Sequence, residues 1–257
     1  MLKVRILTAI VGIPLAMAII YWGNVISALA IVLLAVIGYY EYLNMSKEKL
    51  LSVFWIPGYV FLFFMLLTAY AGEYSGLLVV IGLLFAVFSA VIFYPKYAFV
   101  EIAYALFGAA YVGGLFSYAM AIGYWENHFA VLILAFLLTW GNDTGGYVFG
   151  RLWGVTKLVP ELSPKKTVIG SLGGLITATL VMIGFEIATG FSVPIFSAIG
   201  LVVFGSIAAQ LGDLLISLVK RTFAVKDAGF IFPGHGGVLD RFDSFLLVIP
   251  LVYFFFL

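Results

Sequence analysis

Nine apolar segments, each long enough to cross a bilayer, constrain this chain more than any other feature of its sequence. An α-helix of about 20 apolar residues covers the roughly 30 Å of a bilayer's hydrocarbon core. The predicted spans are 4–22, 25–43, 53–71, 76–94, 99–123, 129–147, 167–190, 194–217 and 241–257. They are apolar all round and lack the period-two alternation of membrane β-barrel strands. The sequence therefore predicts an all-α polytopic integral membrane protein with about nine transmembrane helices.

Composition excludes the soluble classes of protein. Hydrophobic residues make up 65% of the 257 residues and charged residues 10%, against roughly 45–50% and about 25% in an ordinary soluble domain. So few charges cannot cover the surface of a soluble enzyme. The chain also has no cysteine, which excludes a disulfide scaffold, a thiolate metal site and a cysteine nucleophile.

The basic residues predict the orientation of the spans. With nine spans, all 13 Lys and Arg residues fall on one side of the membrane. They are Lys3, Arg5, Lys47, Lys49, Lys96, Arg151, Lys157, Lys165, Lys166, Lys220, Arg221, Lys226 and Arg241. Because basic residues favour the cytoplasmic side, we expect a cytoplasmic N-terminus and an outside C-terminus. We interpret the first span as an uncleaved helix, since it is long for a signal peptide and further spans follow.

The loops are short, and the sequence shows neither an internal repeat nor a separate soluble segment. We therefore expect 1–257 to form a single membrane domain. Within it, 1–128 would be mainly scaffold spans, and 129–257 would carry the functional site with cytoplasmic loops 148–166 and 218–240. Because charges are costly within a membrane protein, the dense polar segments of the second half are functional candidates.

Eight charged residues lie in the 31 positions from Asp213 to Asp243. Aspartates are hard oxygen ligands suited to Mg²⁺, Lys and Arg neutralise phosphate oxygens, and glycines let backbone N–H groups approach an anion. The aspartates are Asp213, Asp227, Asp240 and Asp243; the cations are Lys220, Arg221, Lys226 and Arg241; the loop glycines are Gly234, Gly236 and Gly237. Together these groups predict a site for a metal-bound polyphosphate.

A second polar segment flanks the sixth and seventh spans. Asp143 lies near the cytoplasmic end of the sixth span, and Ser163-Pro164-Lys165-Lys166-Thr167 comes just before the seventh. Asp143 is a candidate metal ligand, and paired lysines at a helix N-terminus suit a phosphate. Alternatively, Asp143 snorkels to water and the lysines only anchor the helix on the cytoplasmic side.

The two histidines give weaker signals. His235 lies in the glycine-rich loop and is as compatible with a structural role as with a catalytic one. His128, the other histidine, is expected on the far side of the membrane. Since cysteine is absent as well, the sequence does not favour a zinc site.

The C-terminal polar segment resembles the signature of the phosphatidate cytidylyltransferase family, the CDP-diacylglycerol synthases. That signature runs Ser-x-x-Lys-Arg, a short gap, Lys-Asp-x-Gly, then Pro-Gly-His-Gly-Gly-x-x-Asp-Arg-x-Asp. The matching strings are Ser217-Leu-Val-Lys220-Arg221, Lys226-Asp227-Ala228-Gly229 and Pro233 through Asp243, with Asp143-Thr144-Gly145 and Ser163 through Gly170 upstream. One position departs: many members have Glu before the signature Ser, where this chain has Ile216.

The resemblance implies transfer of the cytidylyl group of CTP to phosphatidate, giving CDP-diacylglycerol and pyrophosphate in phospholipid biosynthesis. It implies a multi-pass enzyme of the cell (inner) membrane with its active site at the cytoplasmic face. It also implies a requirement for Mg²⁺, with a second cation left open, and a homodimer. The partners would be CTP, phosphatidate and membrane lipid, with no nucleic acid.

Under this hypothesis each candidate residue has a role. Asp143, Asp213 and Asp240 would hold the metal, with Asp227 and Asp243 as weaker candidates. Lys220, Arg221, Lys226 and Arg241 would hold the CTP phosphates and the leaving pyrophosphate, and Lys165 and Lys166 the phosphatidate headgroup or the triphosphate. The remaining substrate-binding candidates are Ser163, Ser217, Gly234, Gly236 and Gly237, and His235 is a catalytic candidate.

Two other functions stay open from the sequence. A CTP-dependent membrane lipid-alcohol kinase would need a general base, because an alcohol must lose its proton to attack a phosphate. A transporter would place polar residues near the membrane midplane, often with inverted repeats. In this chain the polar residues are predicted at one face, which favours the enzyme. The Asp-Gly-x-x-Ala-Arg string of the CDP-alcohol phosphotransferases does not occur.

Overall fold

The computed structural model describes residues 2–46, 55–95, 99–191 and 193–257. This part of the chain is almost wholly helical. Its α-helices are α1 (Leu2–Trp22), α2 (Asn24–Met45), α3 (Trp55–Ala71), α4 (Ser75–Ile92), α5 (Phe99–Ala109), α6 (Leu115–Ile122), α7 (His128–Trp153), α8 (Val168–Thr189), α9 (Ile195–Thr222) and α10 (Leu239–Phe256). A 3-10 turn, Gly72–Tyr74, precedes α4, and a π-helical turn, Ala110–Gly114, joins α5 to α6.

Each predicted span coincides with a helix, and the fifth corresponds to the continuous segment Phe99–Ile122. In the described residues, six segments are long and apolar enough to cross a membrane: α2, α4, Phe99–Ile122, α7, α8 and α9. The apolar part of α1 and all of α3 are shorter. The chain is therefore a polytopic α-helical membrane protein, while the count of nine spans and the orientation of the termini stay predictions. Three of the basic residues behind that orientation, Lys47, Lys49 and Lys96, lie outside the described residues.

The described chain divides into two compact units. The first consists of Met1–Glu126 and Phe223–Arg241, and the second of Asn127–Thr222 and Phe242–Leu257. The first boundary falls close to the predicted limit of the scaffold spans at residue 128. The segment 223–241, however, belongs with the first unit. The single domain with a scaffold half and a site-bearing half stays a prediction.

Aromatic rings fitted against glycines hold the first unit together. The Tyr42 ring stacks on Tyr104 with centroids 4.3 Å apart, and the Tyr104 hydroxyl donates to the Tyr42 carbonyl at 2.6 Å. A Cβ atom added to Gly108 would overlap the Tyr42 ring. One added to Gly113 would lie 2.9 Å from the carbonyl oxygen of Leu62. Small residues therefore let α2 and α3 approach the α5–α6 segment closely, as is typical of membrane helices.

Glycines perform the same task in the second unit, between α7 and α8. A Cβ added to Gly170 would lie 2.6 Å from the Gly146 carbonyl oxygen. The Thr177 hydroxyl donates to the Gly141 carbonyl at 2.7 Å. The two helices therefore pack backbone to backbone in the halves that are predicted to lie nearer the cytoplasm.

A short hairpin is present beside the helices, largely within the loop predicted at 148–166. Strand β1 (Lys157–Val159) pairs antiparallel with β2 (Ser163–Thr167), with Lys157 opposite Thr167. Thr167 then caps α8, because its hydroxyl accepts the N–H of Gly170 at 3.1 Å. The predicted loop 148–166 is therefore partly regular structure.

Two helices also extend beyond their predicted spans. Helix α7 continues from the predicted limit at 147 to Trp153, and α9 continues from 217 to Thr222. Hydropathy locates the end of the apolar run, whereas a helix continues into the interface as long as its backbone bonds are made. The extensions place Arg151, Lys220 and Arg221 on helical turns.

Candidate active site

In the first unit, the glycine-rich string forms a tight turn before α10. The Phe232 N–H donates to the Gly236 carbonyl at 2.9 Å, and the His235 N–H donates to the Phe232 carbonyl at 2.8 Å. Gly234 and Gly236 have φ angles of 77° and 89°, a region that glycine adopts without steric cost. These two glycines are therefore required by the turn itself.

Asp240, in the first turn of α10, ties this turn to the preceding Lys-Asp-x-Gly string. Its Oδ2 accepts the N–H of Ala228 at 2.8 Å and that of Gly237 at 3.0 Å. The Arg241 Nε donates to the His235 carbonyl at 2.9 Å. Two signature residues predicted to bind metal and phosphate thus also hold the backbone of the segment that contains them.

Glu41, on α2, is not among the site residues that the sequence predicted. Its side chain is only 4% exposed, and its Oε2 accepts the N–H of Leu239, the first residue of α10, at 3.0 Å. A Cβ atom added to either Gly229 or Gly237 would overlap the Glu41 carboxylate. The signal was available, because Glu41 is the one charged residue in the span predicted at 25–43, and intramembrane acids are functional candidates.

A pocket of about 680 Å³ lies beside this carboxylate. It is lined by the C-terminal part of α2 and by residues 224–231. The lining includes Glu41, Asn44, Lys226 and Asp227. Lys226 and Asp227 are exposed, so the charged string is accessible to a solute on this side of the unit.

The second unit brings Lys166 and Asp213 together. Lys166 Nζ, on β2, lies 2.6 Å from Asp213 Oδ2, on α9, and also donates to the Gln210 carbonyl at 3.3 Å. Both side chains are partly exposed, at 24% and 34%. An ion pair therefore joins the predicted phosphate-binding lysine to the predicted metal ligand.

A buried polar network extends from this ion pair into the helices. Gln210 exchanges hydrogen bonds with Ser171, and its Nε2 donates to the Ser206 hydroxyl at 3.3 Å. The Ser206 hydroxyl donates to Asn142 Oδ1 at 2.6 Å. Asn142 and Ser206 are each 3% exposed. The side chains of three helices, α7, α8 and α9, are thereby linked to the residue whose carbonyl holds Lys166.

Three carboxylates also lie near one another in the second unit. Asp243 interacts electrostatically with Asp213, Asp143 and Lys220, and its Oδ1 accepts the N–H of Ser244 at 2.8 Å. A Cβ atom on Gly212 would overlap the Asp243 backbone carbonyl, so a glycine on α9 permits this approach. In the part of the chain that the structure describes, no group of three or more His, Asp or Glu side chains is placed to enclose a metal ion.

The remaining predicted residues lie at several points of the second unit. Lys220 and Arg221 occupy the last turn of α9, where a cation stabilises the helix end. Lys165 is exposed on β2, and Ser163 begins that strand. Ile216, at the position where many relatives have Glu, is fully buried at 0% exposure.

Comparison with known proteins covers the whole chain. Residues 3–257 match the sequence model of the Cytidylyltransferase family. This chain belongs to the cytidylyltransferase family. The phosphatidate cytidylyltransferase of Staphylococcus haemolyticus is 40% identical over 255 residues, covering 98% of this chain and 97% of that protein. Those of Staphylococcus epidermidis and Staphylococcus aureus are 38% and 36% identical, over 258 and 255 residues, with the same coverage.

The similarity to these proteins extends over both units of the chain. A short signature can occur in an unrelated membrane domain. The match to these cytidylyltransferases is not limited to the signature, because it includes the helices of both units. The signature, the hairpin and the helices that position them therefore belong to one family architecture.

Proposed function

We infer that this protein transfers the cytidylyl group of CTP to phosphatidate, forming CDP-diacylglycerol and pyrophosphate. The observation that carries this conclusion is the sequence identity of 36–40% with phosphatidate cytidylyltransferases over 98% of this chain. The protein is thus a membrane nucleotidyltransferase of phospholipid biosynthesis, and its substrates are CTP and phosphatidate.

The chemistry needs little from the protein besides placement and charge. A phosphate oxygen of phosphatidate attacks the α-phosphorus of CTP, a new P–O bond forms, and the bond to pyrophosphate breaks. The attacking phosphate is already anionic at neutral pH, so no side chain has to remove a proton. Catalysis of such a transfer rests mainly on alignment of the reactants and neutralisation of phosphate charge.

In the first unit, we assign Lys226 and Arg241 to CTP phosphate oxygens. The N–H groups of the turn around Gly234, Gly236 and Gly237 would add neutral donors to the same anion. Arg241 already holds the His235 carbonyl through Nε, which leaves its terminal nitrogens available as a fork for phosphate. His235 itself contributes its backbone to the turn, and a side-chain role stays a prediction.

In the second unit, we assign Lys165 and Lys166 to the phosphatidate headgroup or the triphosphate. Lys220 and Arg221 would bind phosphate oxygens at the end of α9. The Lys166–Asp213 ion pair supports this assignment, because it holds the lysine in one place before an anion arrives. Ser163 and Ser217 remain substrate-binding candidates.

The carboxylates of the second unit suit Mg²⁺ by their chemistry. Mg²⁺ keeps several waters and is usually bound by one or two carboxylates together with substrate phosphates. Asp213 and Asp143 would supply these carboxylates, and Asp243 interacts with both of them. The bound ion would neutralise charge on substrate phosphate oxygens. Asp240 also stays a predicted ligand, with one carboxylate oxygen already occupied by two backbone N–H groups.

The membrane arrangement is part of the same proposal. We propose that the chain crosses the cell membrane nine times and that its active site lies at the cytoplasmic face. We further propose that the enzyme is a homodimer and binds no nucleic acid. A cysteine introduced at Ser163 tests the sidedness, because the natural chain has no cysteine. We expect an impermeant thiol reagent to label it in inverted vesicles and not in intact cells; the reverse result would overturn the orientation.

Two radiolabelled forms of CTP test the reaction. Purified protein is incubated with Mg²⁺, CTP labelled on either the α- or the γ-phosphorus, and phosphatidate, or in parallel reactions diacylglycerol or a polyprenol in place of phosphatidate. We expect the α-label in lipid that co-migrates with CDP-diacylglycerol and the γ-label in pyrophosphate. If the γ-label enters diacylglycerol or a polyprenol, the lipid-alcohol kinase is correct instead, and if neither label leaves CTP the proposal fails.

A further inference from the structure

We propose that Glu41 is a positioning residue for CTP: its carboxylate, buried on α2, holds the signature segment in the shape that binds the nucleotide's phosphates. This inference rests on the proposed function, since it concerns the CTP-binding part of that reaction. It gives a functional role to a residue in the segment 1–128, which the sequence predicts to be mainly scaffold spans.

Glu41 contacts the backbone at the start of α10. Leu239 is the first residue of that helix, and N–H groups in a first turn have no partner within the helix. Glu41 Oε2 accepts the Leu239 N–H at 3.0 Å, and the Val238 amide also interacts with this carboxylate. A negative group at a helix N-terminus stabilises the helix dipole. Glu41 therefore caps α10 from a different helix, 198 residues away in sequence.

Glu41 also packs closely against two glycines. The nearest atoms to a Cβ placed on Gly229 are all Glu41 side-chain atoms, and the same is true for Gly237. Neither glycine has a left-handed φ angle. Their backbone conformations would therefore accept alanine, and the Glu41 carboxylate is what excludes it.

The contacts of Glu41 and Asp240 form a closed arrangement. Glu41 accepts the N–H of Leu239, and the next residue, Asp240, accepts the N–H groups of Ala228 and Gly237. Gly237 itself packs on Glu41, and so does Gly229, which follows Ala228. Glu41 and Asp240 repel each other electrostatically, and the backbone N–H groups between them offset that repulsion. The position of the Lys226–Asp227 string thus depends on a carboxylate from α2.

The cost of burial supports a functional role. An ionisable side chain in a membrane helix is expensive and is retained where it has a specific partner. Glu41 lines the 680 Å³ pocket together with Lys226 and Asp227. Loss of the carboxylate should therefore loosen the segment proposed to bind CTP and leave the binding of phosphatidate unaffected.

Steady-state kinetics with each substrate varied in turn test this division. We expect Glu41→Ala to raise the KM for CTP by about tenfold or more, the loss associated with a hydrogen bond to a charged group, with the KM for phosphatidate unchanged. Glu41→Gln should recover part of the CTP affinity, since an amide oxygen still accepts the Leu239 N–H. The matched control is Glu186→Ala, which removes a half-buried glutamate with one buried carboxylate oxygen, on α8, and should leave both KM values unchanged.

A general loss of folded protein would give a different result. It would lower kcat in proportion to the active fraction and leave both KM values as they are. An unchanged KM for CTP in Glu41→Ala, or an equal rise for the two substrates, would overturn the proposal while the wild-type reaction still stands.

A double-mutant cycle tests the contact itself. Gly237→Ala should lower the melting temperature of the detergent-solubilised protein in the wild-type background. In the Glu41→Ala background the same change should cost much less, because the carboxylate it strikes is gone. Gly234→Ala is the matched control: its φ of 77° makes alanine strained whatever stands at position 41, so its effect should be additive. Additive effects for Gly237→Ala would overturn the proposal, and because the readout is melting, this test is independent of whether the enzyme makes CDP-diacylglycerol.

Discussion

The two charged clusters of this enzyme are held in different ways. In the first unit, carboxylates of Glu41 and Asp240 accept backbone N–H groups from a segment that is largely turn. In the second unit, Lys166 and Asp213 are joined to each other and, through Gln210, to side chains on three helices. One cluster is organised through main-chain donors and the other through side-chain pairs.

The difference predicts how each cluster fails. Where a carboxylate holds the main chain, its loss loosens the residues of the segment together, because the turn has little regular backbone hydrogen bonding beyond the Phe232–Gly236 and His235–Phe232 bonds. Where side chains sit on helices, the helices keep their positions and the loss is confined to the partners of the changed residue. Removal of one acid from the first cluster should therefore cost more activity than removal of one partner from the second.

The largest effect is expected for Asp240→Asn. The substitution weakens two charge-assisted hydrogen bonds, to Ala228 and Gly237, and removes a predicted metal ligand. We expect kcat/KM for CTP to fall by about a thousandfold, from roughly 1.5–3 kcal/mol for each bond. The measurement is the rate of CDP-diacylglycerol formation, with circular dichroism and melting to show that the helices persist. Activity near that of the wild type would remove Asp240 from both roles.

A smaller effect is expected when the ion pair of the second unit is broken. Lys166→Met should raise the KM for phosphatidate by about tenfold, the contribution of one charge-assisted contact to a phosphate, because the helices and the hairpin stay in place. Lys157→Met, on the neighbouring strand β1, serves as the control and should leave the KM unchanged. If the Lys166 variant lost as much activity as Asp240→Asn, the contrast between the two clusters would be wrong.

Combining Lys166→Met with Asp213→Asn sharpens this test. Each single change leaves one half-exposed charge without its partner, so stability should fall by about 1–2 kcal/mol, between the values for exposed and buried pairs. The double variant should be no less stable than the worse single variant, because no orphaned charge remains. Additive losses of stability would show that the pair contributes nothing as a pair.

Sequence patterns predicted the helices well because a membrane span must be long and apolar, and both properties are visible in a single sequence. All nine predicted spans coincide with helical segments of the structure. The patterns failed at the interface: hydropathy did not show that α7 and α9 continue to Trp153 and Thr222, or that β1 and β2 form a hairpin. In those places backbone hydrogen bonding, which leaves little trace in composition, decides the structure.

The candidate site was predictable where charges are dense and hidden where one charge is isolated. The resemblance between 217–243 and a known signature located most of the site residues. Glu41 was missed because its importance depends on a contact with Leu239, far along the chain, and no local spacing encodes such a contact. Ser206 and Asn142 were likewise ordinary polar residues until α7 and α9 were seen to place them together.

The smallest effect on activity is expected inside that helical network, for Ser206→Ala. The change removes a donor to Asn142 Oδ1 in buried surroundings and an acceptor for Gln210 Nε2 in partly buried ones. We expect unfolding to become easier by about 1–3 kcal/mol, the range for leaving a buried polar group unsatisfied, with kcat/KM reduced only slightly because Gln210 holds Lys166 through its backbone carbonyl. Thr179→Ala is the matched control, since its exposed hydroxyl bonds only within α8, to the Leu175 carbonyl. If Ser206→Ala abolished activity while melting stayed unchanged, the network would take part in the chemistry directly, and the distinction between main-chain and side-chain support would have to be abandoned.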